Sequence, residues 1–356
     1  MLARLRPLLW PVAMFYRALS WWRNFFYNIG FFISRRVSVP VVSIGNVTVG
    51  GTGKTPATVF TAEHLLNLGF KVGILSRGYG RRMSGTVVVS DGQGVLCSAE
   101  EAGDEPYLMA TRLPQVPVVV DEDRYRGAKS MIDRFHPDIL VLDDAFQHRG
   151  LARDCDIVLL DASAPLAEYR IFPRGELREP LTALRRADLV VWTRSNLGAP
   201  AAAIKERVAA LGVPQVTSDM PVSAKLIDVA TGTAVPPEQL QGEPVLAFCG
   251  IVRPANFYGA LMELGLEPET VRYYPDHYSY SAEDLRYLSE LTEGNRLVML
   301  TTEKDAVKLE QGFVEDHRVY AVRIEFRLGG PELETFGAVL AQRLPLPRAT
   351  PAAGEA

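Results

Sequence analysis

Between residues 41 and 326, short apolar runs rich in β-branched residues alternate with longer stretches whose apolar positions recur every three or four residues. The first kind reads as buried strands and the second as helices. Strands are predicted at 41–44, 70–75, 118–120, 138–142, 155–160 and 188–192, with 87–89 as an edge. Helices are predicted over 57–68, 100–111, 125–135 and 201–211. Buried strands alternating with helices are the pattern of an open α/β sheet. Pro214 confines 213–216 to an edge strand. Beyond it Pro221, Pro236, Pro237 and Gly242 interrupt modest strands, so 218–243 reads as a linker. A second series follows, with strands at 244–249, 271–274, 296–300 and 319–326 and helices at 256–264, 282–292 and 332–341. The expected division is an N-terminal segment (1–35), a first domain (36–217), the linker, a smaller α/β domain (244–330), a C-terminal helix (331–344) and a disordered tail (345–356).

The front of the chain follows neither pattern. Arg4, Arg6, Arg17, Arg23, Arg35 and Arg36 are spaced among Trp10, Phe15, Tyr16, Trp21, Trp22, Phe25, Phe26, Phe31 and Phe32, and no acidic residue precedes Glu63. Its apolar runs are too short to span a bilayer, and it lacks the core and cleavage site of a secretory signal. A segment of this kind lies in a membrane interface, rings at headgroup level and arginines on anionic lipid. The other reading is a helix packed on its own domain and aromatic because buried. Pro7, Pro11 and Gly30 are points where it would break.

Composition changes this picture little. With 356 residues, 47% hydrophobic, the chain can build two cores, and a net charge of -4 argues against a general nucleic-acid binder. Cys97, Cys155 and Cys249 are scattered and odd in number, as in the core of a reduced protein without a disulfide framework or zinc cluster.

The chemistry concentrates at VVSIGNVTVGGTGKTP, residues 41–56, a strand, a glycine-rich turn and a helix start. Backbone amides of Thr48, Val49, Gly50, Gly51, Thr52 and Gly53 can wrap a polyphosphate, with Lys54 on its outer phosphates and the Thr55 hydroxyl on Mg²⁺. Thr48 stands where GxxxxGK[ST] has its first glycine, a departure of one residue. Downstream, a hydrophobic strand ends in Asp143-Asp144-Ala145-Phe146-Gln147-His148. A carboxylate there is what Mg²⁺ on β- and γ-phosphates needs. Asp144 is the favoured ligand and Asp143 its support. Other candidates carry a bland alternative. The Gly103-Asp104-Glu105-Pro106 cluster reads equally as a first-turn cap. Arg174, Arg178 and Glu179 in YRIFPRGELREP read equally as surface ions. His277, after Asp276, suits proton removal from a hydroxyl, or is a buried histidine with a local hydrogen bond. TTEKDAVK is a poor version of the NKxD box that reads guanine, with Thr302 and Glu303 replacing its asparagine and lysine.

Together GNVTVGGTGKTP, SRGYGRR, GDEP, DDAFQHR, LREP, GIVRPANF, the DH pair and TTEKDAVK, in this order over most of residues 1–325, resemble the tetraacyldisaccharide 4'-kinase family of Gram-negative lipid A biosynthesis. The Thr48 departure is itself typical of that family. The resemblance implies a P-loop NTPase-like α/β/α domain, a second smaller α/β/α domain and an N-terminal membrane-surface helical segment. It implies an enzyme on the cytoplasmic face of the bacterial inner membrane, peripheral, which moves the ATP γ-phosphoryl to the 4'-hydroxyl of a tetraacylated glucosamine disaccharide 1-phosphate. It further implies Asp104 paired with His277 on that hydroxyl, and Asp144, Gln147 and Glu179, with Asp143 sharing the role, organising Mg²⁺. Arg77, Arg124, Arg149 and Arg178 become candidate phosphate contacts, and GIVRP with Lys304 and Asp305 the second domain's side of the nucleotide cleft. Neither nucleic acid nor an obligate protein partner is expected. A partitioning-type ATPase and a catalytically idle lipid-binding scaffold are the other classes in view.

Overall fold

The computed structural model describes residues 9–292 and 297–345. The apolar runs form β1 (Val41–Asn46), β2 (Val72–Ser76), β3 (Val87–Asp91), β4 (Pro117–Val120), β5 (Ile139–Asp143), β6 (Cys155–Asp161), β7 (Leu189–Thr193) and β8 (Gln215–Ser218). They make one sheet in the order β3-β4-β2-β5-β1-β6-β7-β8, parallel except for the edge strand β3. Residues such as Val42, Ile44, Val141 and Ile157 are buried between covering helices, each stabilising the fold by about 1.5–3 kcal/mol relative to exposure. Because β1 and β5 are parallel neighbours with Ile44 opposite Asp143, the turn after β5 lies beside the loop after β1.

The predicted helix over 100–111 is two helices, Ala99–Ala102 and Asp104–Arg112. Gly103 between them has φ 93°, and a Cβ there would come within 3.0 Å of Tyr79 O, so only glycine suits the break. The first is opened by a Ser98/Glu101 capping box, and Asp104 begins the second.

The second sheet has the order β10-β9-β14-β13-β11-β12, from β9 (Val222–Asp228), β10 (Ala234–Val235), β11 (Val245–Cys249), β12 (Thr270–Tyr273), β13 (Val298–Thr302) and β14 (Val319–Ile324). Most of the expected linker is therefore sheet: β9 pairs antiparallel with β14, and its Leu226 is buried in that domain's core. Prolines there bound strands instead of separating domains. The C-terminal helix, Gly330–Arg343, returns to the first domain, where Phe336, Val339 and Leu340 join the core of Val59 and Leu65. The second domain is thus inserted into the first, and its two crossings run side by side, with Asp219 and Arg327 exchanging backbone hydrogen bonds of 3.0 Å. Residues 346–356 of the expected tail lie outside the described residues, as do residues 1–8 and 293–296.

The front of the chain is one helix, Trp10–Asn28, with Pro11 in its first turn, where a missing N–H costs nothing, and Gly30 just past its end at φ 77°. Pro7 is outside the described residues. Only Ala13 is buried; Phe15 is 67% exposed, Trp21 57% and Trp22 51%. Burial therefore does not explain its aromatic content. No helix among the described residues is long and apolar enough to cross a membrane.

Candidate active site

The loop after β1 is held from inside and outside. Asn46 Nδ2 donates to Thr52 Oγ1 at 3.0 Å and to Gly50 O at 3.4 Å. Thr193 Oγ1 donates to Thr52 O at 2.9 Å and Arg194 Nη2 to Gly51 O at 2.6 Å. Gly53 has φ 86°, and a Cβ on it would meet Met220 Sδ at 2.5 Å. The helix Lys54–Asn67 follows, so loop amides and helix N-terminus together offer donors to an anion. Lys54 Nζ lies 3.5 Å from Gly50 O and 3.7 Å from Asp144 Oδ1, and Thr55 occupies the helix's first turn.

The two aspartates divide as their surroundings dictate. Asp143 is buried and accepts from Ser76 Oγ at 3.0 Å and Thr58 Oγ1 at 3.3 Å. Burial, then the charges of Glu105 and Asp144, push its carboxyl up to about 7. Burial also acts upward on Asp144, but Lys54, Arg178 and Arg124 outweigh it and hold that carboxyl below its ordinary value. Asp144 has φ 45°, a strained backbone for a non-glycine residue. Its Oδ2 accepts from Arg178 Nη1 at 3.4 Å, while its buried Oδ1 has no hydrogen-bond partner.

The other expected metal residues have different partners. Gln147 donates from Nε2 to Asn46 O at 2.7 Å, tying the aspartate turn to the loop. Glu179, fully buried, gives one oxygen to Arg23 of the N-terminal helix and the other to Arg186 at 2.7 Å. Arg149 likewise faces that helix, donating to Asn24 O at 3.1 Å with its guanidinium 5.0 Å from the Tyr27 ring centre. Arg124 stays with the aspartates: it is 2% exposed, donates to Asp121 O at 3.0 Å and leaves Nε without a partner. Burial lowers it to about 10, with Asp143 acting the other way. Arg77 is near enough to lower both Arg124 and His148. His148 is driven down to about 4, first by burial and then by Arg124, and stays neutral.

Asp104 and His277, 173 residues apart, meet across the two domains, with Nδ1 3.3 Å from Asp104 Oδ2. His277 has φ 57° and its ring centre is 5.4 Å from that of Tyr79. Lys304 and Asp305, expected on the second domain's side of the nucleotide cleft, have these partners within the protein. Lys304 Nζ lies 3.1 Å from His277 Nε2, 3.5 Å from Asp276 and 3.6 Å from Glu105. Asp305 is buried, accepting from Gly250 N at 3.0 Å, Thr302 Oγ1 at 2.7 Å and Lys308 at 2.7 Å, which fastens the GIVRP turn to the end of β13.

Sequence reasoning singled out GIVRP as a segment but not its arginine, and passed over several other residues here. Arg253 crosses from the second domain to Asp161 at 3.0 Å and Glu168 at 2.5 Å, and Arg194 shares Asp161. Its position after a strand end was the available signal. Arg112 of the first domain donates to Glu303 of the second and to Ile324 O at 3.2 Å, with Arg323 on the other Glu303 oxygen at 2.8 Å. Nothing local marks that pair, since its members are 191 residues apart.

The family model for tetraacyldisaccharide-1-P 4'-kinase (LpxK) matches residues 5–344. This chain belongs to that family. It is an ATP-dependent kinase acting on the 4'-hydroxyl of tetraacyldisaccharide 1-phosphate in lipid A biosynthesis. Among relatives, the tetraacyldisaccharide 4'-kinase of Anaeromyxobacter sp. (strain Fw109-5) is 42% identical over 91% of this chain and 88% of its own length. That of Chlorobium limicola is 39% identical over 86% and 87%. The crystal structure of LpxK from Aquifex aeolicus in complex with ATP superposes with a TM-score of 0.80 at 35% identity, covering 96% of this kinase and 100% of that chain.

Proposed function

We propose that this kinase holds the ATP polyphosphate on the amides of residues 48–53 and on Lys54, and deprotonates the sugar hydroxyl with Asp104, oriented by His277. The observation that carries this reading is Glu105: its charge bears on Asp143 beside the loop while its carboxylate pairs with Lys304 beside His277. Donor and acceptor halves therefore adjoin. The hydroxyl proton passes to Asp104 as its oxygen attacks the γ-phosphorus, and the β–γ bridging oxygen leaves with ADP. Lys54 and the loop amides stabilise charge on the transferring phosphoryl, with Arg178 and Arg124 behind Asp144.

Mg²⁺ fits the same residues. Asp144 is ionised with an orphaned buried oxygen, and Thr55 opens the adjacent helix. Among the described residues no group of three His, Cys, Asp or Glu forms a cage, which suits an ion held by one or two carboxylates plus substrate phosphates. Asp144 and Thr55 would hold it, with Asp143 supporting. Glu179 and Gln147, already engaged, would serve at most through water. Such an ion would supply neutralising charge to the phosphates.

The acceptor is the lipid A disaccharide 1-phosphate precursor, met at the cytoplasmic face of the inner membrane by the aromatic helix Trp10–Asn28, which lies on the surface as a peripheral anchor. Label from γ-labelled ATP should reach the 4'-hydroxyl of the disaccharide and not monosaccharide lipid or water, and Lys54→Ala should abolish it. Inorganic phosphate alone from folded, detergent-supported protein would reject the acceptor. A chain lacking residues 1–35 should lose flotation with anionic vesicles while keeping its far-UV circular dichroism; full flotation would reject the anchor.

A further inference from the structure

His277 has two hydrogen-bonding nitrogens and two fixed neighbours of opposite character. Nδ1 faces the Asp104 carboxylate at 3.3 Å, which only accepts, and Nε2 faces the Lys304 ammonium at 3.1 Å, which only donates. Asp276 also approaches Nε2, but at 3.8 Å it is beyond hydrogen-bond reach. One of the three protonation states of imidazole satisfies both contacts: the neutral ring with its proton on Nδ1. The opposite tautomer would aim a lone pair at a carboxylate and an N–H at an ammonium. The imidazolium would keep the first contact and set N–H against ammonium at the second.

We propose that Lys304 is a positioning residue of this kinase, which fixes His277 as the neutral Nδ1–H tautomer and thereby keeps Asp104 aimed. The inference rests on the reading of Asp104 as the base that receives the hydroxyl proton. With Nδ1–H donated to Oδ2, Oδ1 of Asp104 is left to accept that proton.

The surroundings make this work necessary. The charged and titratable groups facing the ring are Asp104 and Glu105 on the helix Asp104–Arg112, Tyr79 after β2, Asp276 in its own turn, and Lys304 after β13. Lys304 is the cation in direct contact with the ring, at Nε2. His277 also sits at φ 57°, a conformation a non-glycine residue keeps only when its contacts hold it there. Because Asp104 at Nδ1 belongs to the first domain and Lys304 at Nε2 to the second, both contacts are made only when the two domains are together.

The test uses the full chain in detergent with ¹⁵N-labelled histidine, as wild type, Lys304→Met and Lys304→Arg. In wild type at pH 7 His277 should give one protonated-type ¹⁵N signal, at Nδ1, and one unprotonated-type signal, at Nε2. In Lys304→Met it should move to the imidazolium pattern or to mixed tautomers. The kcat at pH 7 should fall about tenfold, with KM for ATP within about twofold and the acid limb of the kcat profile moved to higher pH. Lys304→Arg, which keeps a charged donor, should restore the wild-type pattern and most of the rate. An unchanged His277 spectrum and pH profile in Lys304→Met would overturn the proposal. Failure of the underlying reading shows separately: Asp104→Asn turning over at the wild-type rate rejects the base, while the ¹⁵N pattern still decides what Lys304 does to the ring.

Discussion

The phosphate loop and the Asp104–His277 pair differ in how the chain builds them. The loop is one contiguous strand, turn and helix, and its braces come from strands β5 and β7 of the same sheet. The pair and its support are assembled from three segments, Asp104 after β3, His277 after β12 and Lys304 after β13, in two domains joined by paired crossings at Asp219 and Arg327. The first site is rigid because its sequence neighbours are its spatial neighbours. The second exists only while the domains stay docked. A kinase that must exclude water from a transferring phosphoryl gains from that split, since the acceptor half is complete only with the two domains together.

The sharpest way to break the comparison is at the loop. Lys54→Ala should lower kcat/KM about 10³-fold by label transfer, because a charge aimed at the developing phosphoryl is lost. A loss confined to KM for ATP would mean Lys54 only binds. Asp104→Asn, at the assembled site, should lower kcat about 10²-fold and leave KM for ATP within about twofold. Unchanged turnover would remove Asp104 from the chemistry, and a rise in KM for ATP of the same size would mean the two sites are one.

That contrast also explains what was legible in the sequence. Lys54, Thr55 and the aspartate pair were readable because a strand's carboxyl end and the following turn are local features, and parallel pairing brings two such ends together. The contacts of Lys304 were not legible because TTEKDAVK fixes where the chain leaves β13 and not which way a side chain points; its neighbours His277 and Glu105 are 27 and 199 residues away in sequence. The ion pair of Glu179 was hidden for the same reason, since its partner Arg23 lies 156 residues earlier. The inserted second domain was hidden because prolines in 218–243 look like a linker in composition, while what makes β9 a strand is pairing with β14 nearly a hundred residues on.

The seam between the domains separates the sites more gently. Glu303 sits between Arg112 and Arg323 with little exposure, so Glu303→Gln leaves two guanidiniums without their anion and should cost about 3 kcal/mol of unfolding free energy in a urea titration. ATP binding, measured by calorimetry, should hold within about threefold, because the loop does not depend on the seam. Equal damage to ATP binding would mean that the loop, too, is built by docking.

The smallest effect tests how far the two sites feel each other, through Asp143. Its carboxyl is raised from 3.8 to about 7, first by burial and next by Glu105, which belongs to the acceptor side. Between those two values the folded state keeps a proton that the unfolded chain has released, so stability falls as pH rises from about 4 to about 7 and then levels. Asp143→Asn has no proton to lose and should not share this fall. Relative to wild type it should therefore gain about 2 kcal/mol between pH 5 and pH 8 in thermal unfolding. Glu105→Gln removes one of the two charges that push Asp143 upward, so it should shrink that pH-dependent difference without abolishing it, since burial remains. Parallel wild-type and Asp143→Asn curves would mean Asp143 is ionised throughout. A Glu105→Gln background that leaves the difference intact would mean the acceptor side does not reach the loop at all.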